Sequence, residues 1–401
     1  MAPIPRLRAY DGPALLSYGF RPFFLLAALQ AGLTLLVWLP FVTGHLAVPT
    51  AFAPVDWHVH EMLFGYQAAA IGGFLLTAIP NWTGRLPVQG KPLLVLVLAW
   101  LAGRLAVSAS ALIGWRLAMG IDALFLLLLA GAAAREIVAG RNWRNLKVVV
   151  LIGLLLAANL AFHLEAALTG SADFARRFAI AVVLMLVMLI AGRIVPSFTR
   201  NWLAQRGKGR MPVPFGLYDK AVLAGSALAL ACWVAVPDAM AIGAVLMLAA
   251  GLHLVRLGRW AGHRTFRNPL LVILHVGYLF VPAGFALTGL AGLGYVAPGA
   301  GLHAWTAGAF ATLTLAVMSR ASLGHTGRPL VATGATQLCY GLVVIGAVAR
   351  VCSATGHGPA ALLHAAGLCW SLAFLVFATA YWRVLIGSRV APKTASAAQQ
   401  A

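Results

Sequence analysis

Twelve apolar runs, separated by short polar connections, set the strongest limit on what this chain can become. They lie near 20–43, 57–79, 92–110, 115–138, 146–168, 174–196, 218–236, 238–258, 268–291, 299–321, 330–353 and 360–386. A helix of roughly 20 residues, rising about 1.5 Å each, crosses about 30 Å of hydrocarbon. Lipid offers no hydrogen-bond partner to a backbone amide, so runs of this kind must close their bonds internally as helices. The expected fold is therefore all-α, a polytopic membrane bundle of about twelve transmembrane helices. Composition agrees, with 62% hydrophobic and 9% charged residues among 401. The connections leave no room for a soluble domain, so residues 1–401 are read as a single transmembrane domain, with a disordered tail expected over 394–401.

The formal charge of +20 does not form a basic patch in a soluble segment, which argues against nucleic acid as a partner. It sorts by side of the membrane instead. If the N-terminus is cytoplasmic, 24 of the 29 lysines and arginines fall on the cytoplasmic side, leaving Arg104, Arg116, Arg176, Arg177 and Arg350 elsewhere. That asymmetry predicts a multi-pass membrane protein with both termini inside and the lipid bilayer as its first partner. The four cysteines, Cys232, Cys339, Cys352 and Cys369, form no CxxC pair and read as small core residues.

Three stretches resemble one another: TAIPNWTGR (77–85), RIVPSFTRN (193–201) and RASLGHTGR (320–328). Each is read as a cytoplasmic turn, beginning six residues before a threonine: Thr83, Thr199 or Thr326. These threonines stand 116 and 127 residues apart, a spacing of four helices. His60 and His303 each precede their threonine by 23 residues, Gly65 and Gly308 by 18, and Arg176 takes the histidine's place in the middle unit. The expectation is three four-helix units, 1–141, 142–264 and 265–393, related by a pseudo-threefold axis along the membrane normal.

Polar groups inside hydrocarbon cost a few kcal/mol unless partnered, so they should face the bundle interior. His58, His60, His163 and His303 fall toward the outer side and His275 lies in the ninth run. Neutral imidazoles converging from several helices favour haem iron or copper over magnesium or calcium. His58 and His60, two residues apart, project about 200° from each other, so at most one faces a given centre. Glu61 is placed to orient an imidazole. Arg104 and Asp122, at similar depth, are expected to form a buried ion pair, and Glu165 is expected to pair with Arg176 or Arg177. On the cytoplasmic side, Arg85, Arg193, His325, Arg328 and Arg320 read either as an interfacial belt or, for Arg193 and Arg320, as bidentate ligands of a carboxylate or phosphate.

The segments YGFRPFF (18–24), WHVHEMLFGY (57–66), GFLLTAIPNWTGRLP (73–87), GRIVPSFTRNW (192–202), LHVGY (274–278) and MSRASLGHTGRP (318–329) closely resemble those of NnrS proteins. The resemblance implies a bacterial inner-membrane protein that contains haem and copper and is associated with denitrification and tolerance of nitric oxide. It does not assign particular histidines to either metal, and it names no electron donor. Twelve helices with threefold character also resemble the catalytic subunit of haem-copper oxidases, but this chain has no adjacent histidine pair.

Two functions follow as expectations. The first is a haem- and copper-binding protein of nitric oxide metabolism or nitrosative-stress tolerance, with His60, His303 and His163 foremost among its ligands and His58 and His275 next. The alternative is a secondary transporter of a metal, haem or a small anion, for which Asp122 is the one carboxylate placed near the midplane.

Overall fold

A computed structural model describes residues 10–356, 359 and 361–390; the expected tail at 394–401 lies outside them. Among the described residues there are helices and no strands. Twelve helices are long and apolar enough to cross a membrane: α1 Phe20–Val42, α2 Pro54–Thr83, α3 Gly90–Ser108, α4 Trp115–Ala139, α5 Trp143–Thr169, α6 Asp173–Leu203, α7 Leu217–Ala235, α8 Met240–Arg264, α9 Pro269–Gly292, α10 Gly299–His325, α11 Gly334–Ser353 and α12 Ala361–Ile386. Their number matches the apolar runs, and most ends fall within a few residues of the expected ones.

Three helices form the centre. Over its most apolar stretch α2 is 89% buried, and α6 and α10 are each 72% buried, against 33% for α4, α8 and α11. Around them α4 packs on α3 and α5, α8 on α7 and α9, and α12 on α11 and α1, so the outer helices form three arcs joined through α2, α6 and α10. An all-round apolar helix belongs inside such a bundle, whereas the outer helices keep a leucine- and valine-rich face exposed, as at Leu105, Leu127, Val150 and Leu248. Both polar and apolar side chains on α2, α6 and α10 are therefore held by protein.

The three repeated stretches are mainly helical, with the expected turns confined to 84–85 and 326–328. Helix α2 continues to Thr83, α6 to Leu203 and α10 to His325, although α2 and α6 contain Pro80 and Pro196. The polar side chains that suggest a turn return their bonds to the helix: Thr83 Oγ1 donates to Ile79 O at 2.9 Å and Thr326 Oγ1 to Ser322 O at 2.6 Å. Helix α2 stops at Gly84, whose φ of 76° lies in the left-handed region that ends helices cheaply.

Two further expectations are corrected. Glu165 does not pair with Arg176 or Arg177; its carboxylate accepts from the Phe174 and Ala175 amides at 2.8 and 2.7 Å, capping the otherwise unsatisfied start of α6, and Arg176 pairs with Asp173. Of the four cysteines only Cys339 is buried, while Cys232 and Cys352 are exposed, since a small apolar side chain costs little on a lipid-facing surface.

Candidate metal and cofactor sites

His60 and His303 occupy the same place in a local backbone device. In α2 the α-helix runs to His60 and then widens into a π-helical turn, Glu61–Gln67; in α10 it runs to His303 and widens at Ala304–Phe310. Helix α6 carries no such turn. A π turn inserts an extra residue, frees a carbonyl from the ladder and is common at functional sites. In α2 the Trp100 indole donates to the Gly65 carbonyl at 3.0 Å. Gly65 has a steric role as well: a Cβ there would lie 3.1 Å from Arg104 Nη1, 3.1 Å from Gln30 Nε2 and 3.2 Å from Glu61 Oε2.

Around His60 the packing is complete. His60, Asp122, His163 and Asn159 are each at most 3% exposed. Asp122 Oδ2 lies 3.1 Å from His60 Nε2 and 3.2 Å from His163 Nε2, and accepts from Asn159 Nδ2 at 2.6 Å. Its Oδ1 accepts from Arg104 Nη2. Arg104 Nη1 donates to Glu61 Oε1 at 2.5 Å, and Gln30 Nε2 to Glu61 Oε2 at 2.5 Å. Glu61 Oε1 also stands 3.4 Å from His60 Nδ1. Phe52, Phe64 and Phe162 surround the His60 ring at 4.9–5.3 Å between centroids. One guanidinium thus ties two carboxylates, and Asp122 serves two imidazoles.

His60, Asp122 and His163 offer one donor atom each, all within 4.8 Å of one another. Two imidazoles and a carboxylate suit copper, zinc or iron better than calcium or magnesium. The three residues come from α2, α4 and α5, so one ion would fasten three helices.

His303 has different surroundings. It stands with His58, Arg176, Arg350, Trp38 and Trp370 on the wall of a cavity of about 550 Å³, within the range of roughly 300–1,000 Å³ usual for ligand sites. His303 Nδ1 contacts Gly299 O at 2.8 Å and therefore carries the proton. Its Nε2 keeps the free lone pair, the arrangement that fixes a metal-binding imidazole. The His58 ring stacks on Trp38 at 4.2 Å, and its Nδ1 is buried without a hydrogen-bond partner. Arg176 Nε is likewise buried and unpartnered.

The sequence-derived candidates therefore divide into two groups: His60 with His163, Asp122, Arg104 and Glu61, and His58 with His303. His60 and His303, in the same register on α2 and α10, thus face different neighbours. His275 joins neither group; its Nδ1 contacts Leu271 O at 3.0 Å, and Gly262 lies against its ring. Arg85 pairs with Glu136 at 2.5 Å. Arg193, Arg320 and His325 line a separate cavity at the opposite end of the bundle.

Sequence reasoning missed Asn159, Gln30 and Arg350 as wall residues. Only Arg350 carried a signal, as one of five basic residues off the arginine-rich side. It also missed a second buried network, in which Arg256 donates to Asp219 at 2.8 Å and to the Tyr278 hydroxyl at 2.7 Å, with His253 between Tyr278 and Ser226 at 2.9 Å to each.

No curated protein matches the chain. The protein-family model described as NnrS protein matches residues 14–389, from before α1 to beyond α12. This multi-pass helical chain belongs to the NnrS family.

Proposed function

We propose that the protein is a haem- and copper-binding integral membrane protein of nitric oxide metabolism or nitrosative-stress tolerance. The observation that carries this reading is the pair of histidine sites at one end of the bundle, one closely packed and one open. The packed site, His60, His163 and Asp122, fits copper: three donors of suitable type lie close together, with Arg104 and Glu61 holding Asp122 and His60 in place. The open site fits haem. It has the volume, an imidazole whose Nε2 is left free by the bond from Nδ1 to Gly299, and Arg350, with the Nε of Arg176 that its pair with Asp173 leaves free, to receive carboxylates.

His303 would hold the haem, whose iron supplies affinity for nitric oxide when bound, and His60, His163 and Asp122 would hold the copper, which supplies one-electron chemistry. The chain's own part is to position and to exclude water. Phe52, Phe64 and Phe162 keep the His60 side dry, while Trp38 holds His58 by stacking. The basic residues concentrated away from the histidine end support an inner-membrane orientation with that end outside and both termini cytoplasmic. The two π turns in matching register, and the three outer arcs of three helices each, support the three four-helix units.

An absorbance spectrum and metal analysis of the protein purified after growth with haem precursor and copper test this reading. A Soret band and bound copper are expected. Neither appearing would overturn it. The transporter alternative rests on the second cavity at the opposite end of α2, α6 and α10; Asp122→Asn with intact folding and abolished vesicle uptake of copper would favour it.

A further inference from the structure

The cavity at the arginine-rich end is about 490 Å³. A constriction of about 60 Å³, lined almost wholly by apolar side chains, lies between it and the histidine-end cavity; Phe74, Ile190 and Val317 line both the constriction and the arginine-end cavity. These three each stand nine residues before Thr83, Thr199 or Thr326. The same register recurs deeper in the wall. Thr77, Arg193 and Arg320 stand six residues before those threonines, and Trp82, Phe198 and His325 stand one before. All six line the cavity. One face from each of α2, α6 and α10 thus meets around a common space.

We propose that this cavity is a binding site for an oxyanion, a phosphate or carboxylate group, held by Arg193 and Arg320. Among the described residues neither arginine has a carboxylate partner. Arg193 Nη1 donates to the neutral Asn145 side-chain oxygen at 3.0 Å, and the Arg320 guanidinium lies 4.3 Å from the centre of the Phe198 ring. The chain has nine Asp and Glu residues; all are among the described residues, none lines this cavity, and none forms an ion pair with either arginine. Arg85, Arg104, Arg135, Arg176 and Arg256 are, by contrast, each matched to a carboxylate.

Two guanidinium groups facing a largely apolar space are costly when uncompensated, and a cation–π contact offsets only part of that cost. An oxyanion completes the site, because the planar fork of arginine matches two oxygens at once. The aromatic collar of Trp82, Phe198 and His325 suits an apolar body attached to the anionic group. The phosphate of a membrane lipid and free phosphate share the recognised chemistry. The inference stands apart from the metal sites, which lie at the other end of the bundle.

The test uses full-length protein in an uncharged maltoside detergent. Inorganic phosphate is titrated by isothermal calorimetry, and phosphatidylglycerol retention is read by native mass spectrometry. Saturable binding of one or both probes is expected at low ionic strength, weakened at least tenfold by Arg193→Gln or Arg320→Gln. Loss of phosphate binding identifies a free oxyanion, and loss of phosphatidylglycerol alone identifies a lipid headgroup. Arg193→Lys and Arg320→Lys, which keep the charge, are expected to bind with intermediate affinity and guard against a folding defect. No saturable binding to the wild type, or binding unchanged in the Gln variants, would overturn the proposal.

Discussion

His60 and His303 sit at the same point of the same device, the last α-helical residue before a seven-residue π turn, and yet their surroundings differ completely. Beside His60 the space is filled by a carboxylate, an amide, a second imidazole and a guanidinium. Beside His303 it is left as a cavity of about 550 Å³ walled by His58, Arg176 and Arg350. Helices α3, α4 and α5 supply the first set, whereas α2 and α10 supply most of the second wall, and α1, α6, α11 and α12 complete it. A similar backbone device can thus carry one site filled by the protein's own side chains and another left open as a cavity.

The largest effect expected from breaking this contrast is at Asp122. Asp122→Ala leaves Arg104 with Glu61 as its one remaining carboxylate and takes from two imidazoles and Asn159 their shared acceptor, a loss of about 3–5 kcal/mol that should appear as a collapsed yield of monodisperse protein and a lowered thermal midpoint in detergent. A midpoint unchanged from wild type would mean that the network contributes nothing to stability.

The two π turns give the next test. A Cβ at Gly308 would stand 2.3 Å from the Phe280 ring, whereas at Gly65 its nearest neighbours are flexible polar side-chain ends at 3.1 Å. Gly308→Ala should therefore destabilise by about 1–3 kcal/mol through overpacking, and Gly65→Ala by less. Thermal melts of the two variants side by side read the difference, and the reverse order would contradict the geometry.

The smallest effect is expected at Arg350. Arg350→Gln should leave the thermal midpoint of the protein near wild type while weakening retention of an anionic cofactor in the His303 cavity by about tenfold, the worth of one charge-assisted hydrogen bond. Dialysis against an apo-haem acceptor, followed at the Soret band, measures it. Retention equal to wild type would remove Arg350 from the site.

These contrasts also show what the sequence can carry. The twelve helices were legible because hydrophobicity over about 20 residues is set by the bilayer and needs no knowledge of packing. The divergence of His58 and His60 was legible too, since 100° per residue fixes it. The stretch from Glu61 to Gln67 gives no local sign of a π turn, and the repeated polar stretches looked like turns because their threonine bonds to the helix are invisible in composition. Asn159, Gln30 and Arg350 were not legible as site residues. Each becomes one only where three helices meet, and that meeting depends on tertiary packing.

The central claim is that the two histidine environments hold different groups. Haem and copper content measured in parallel on purified His303→Ala and His163→Ala tests it most directly. The account predicts that His303→Ala loses the Soret band and keeps copper, and that His163→Ala loses copper and keeps the Soret band. Loss of both groups in both folded variants, or of neither in either, would contradict it.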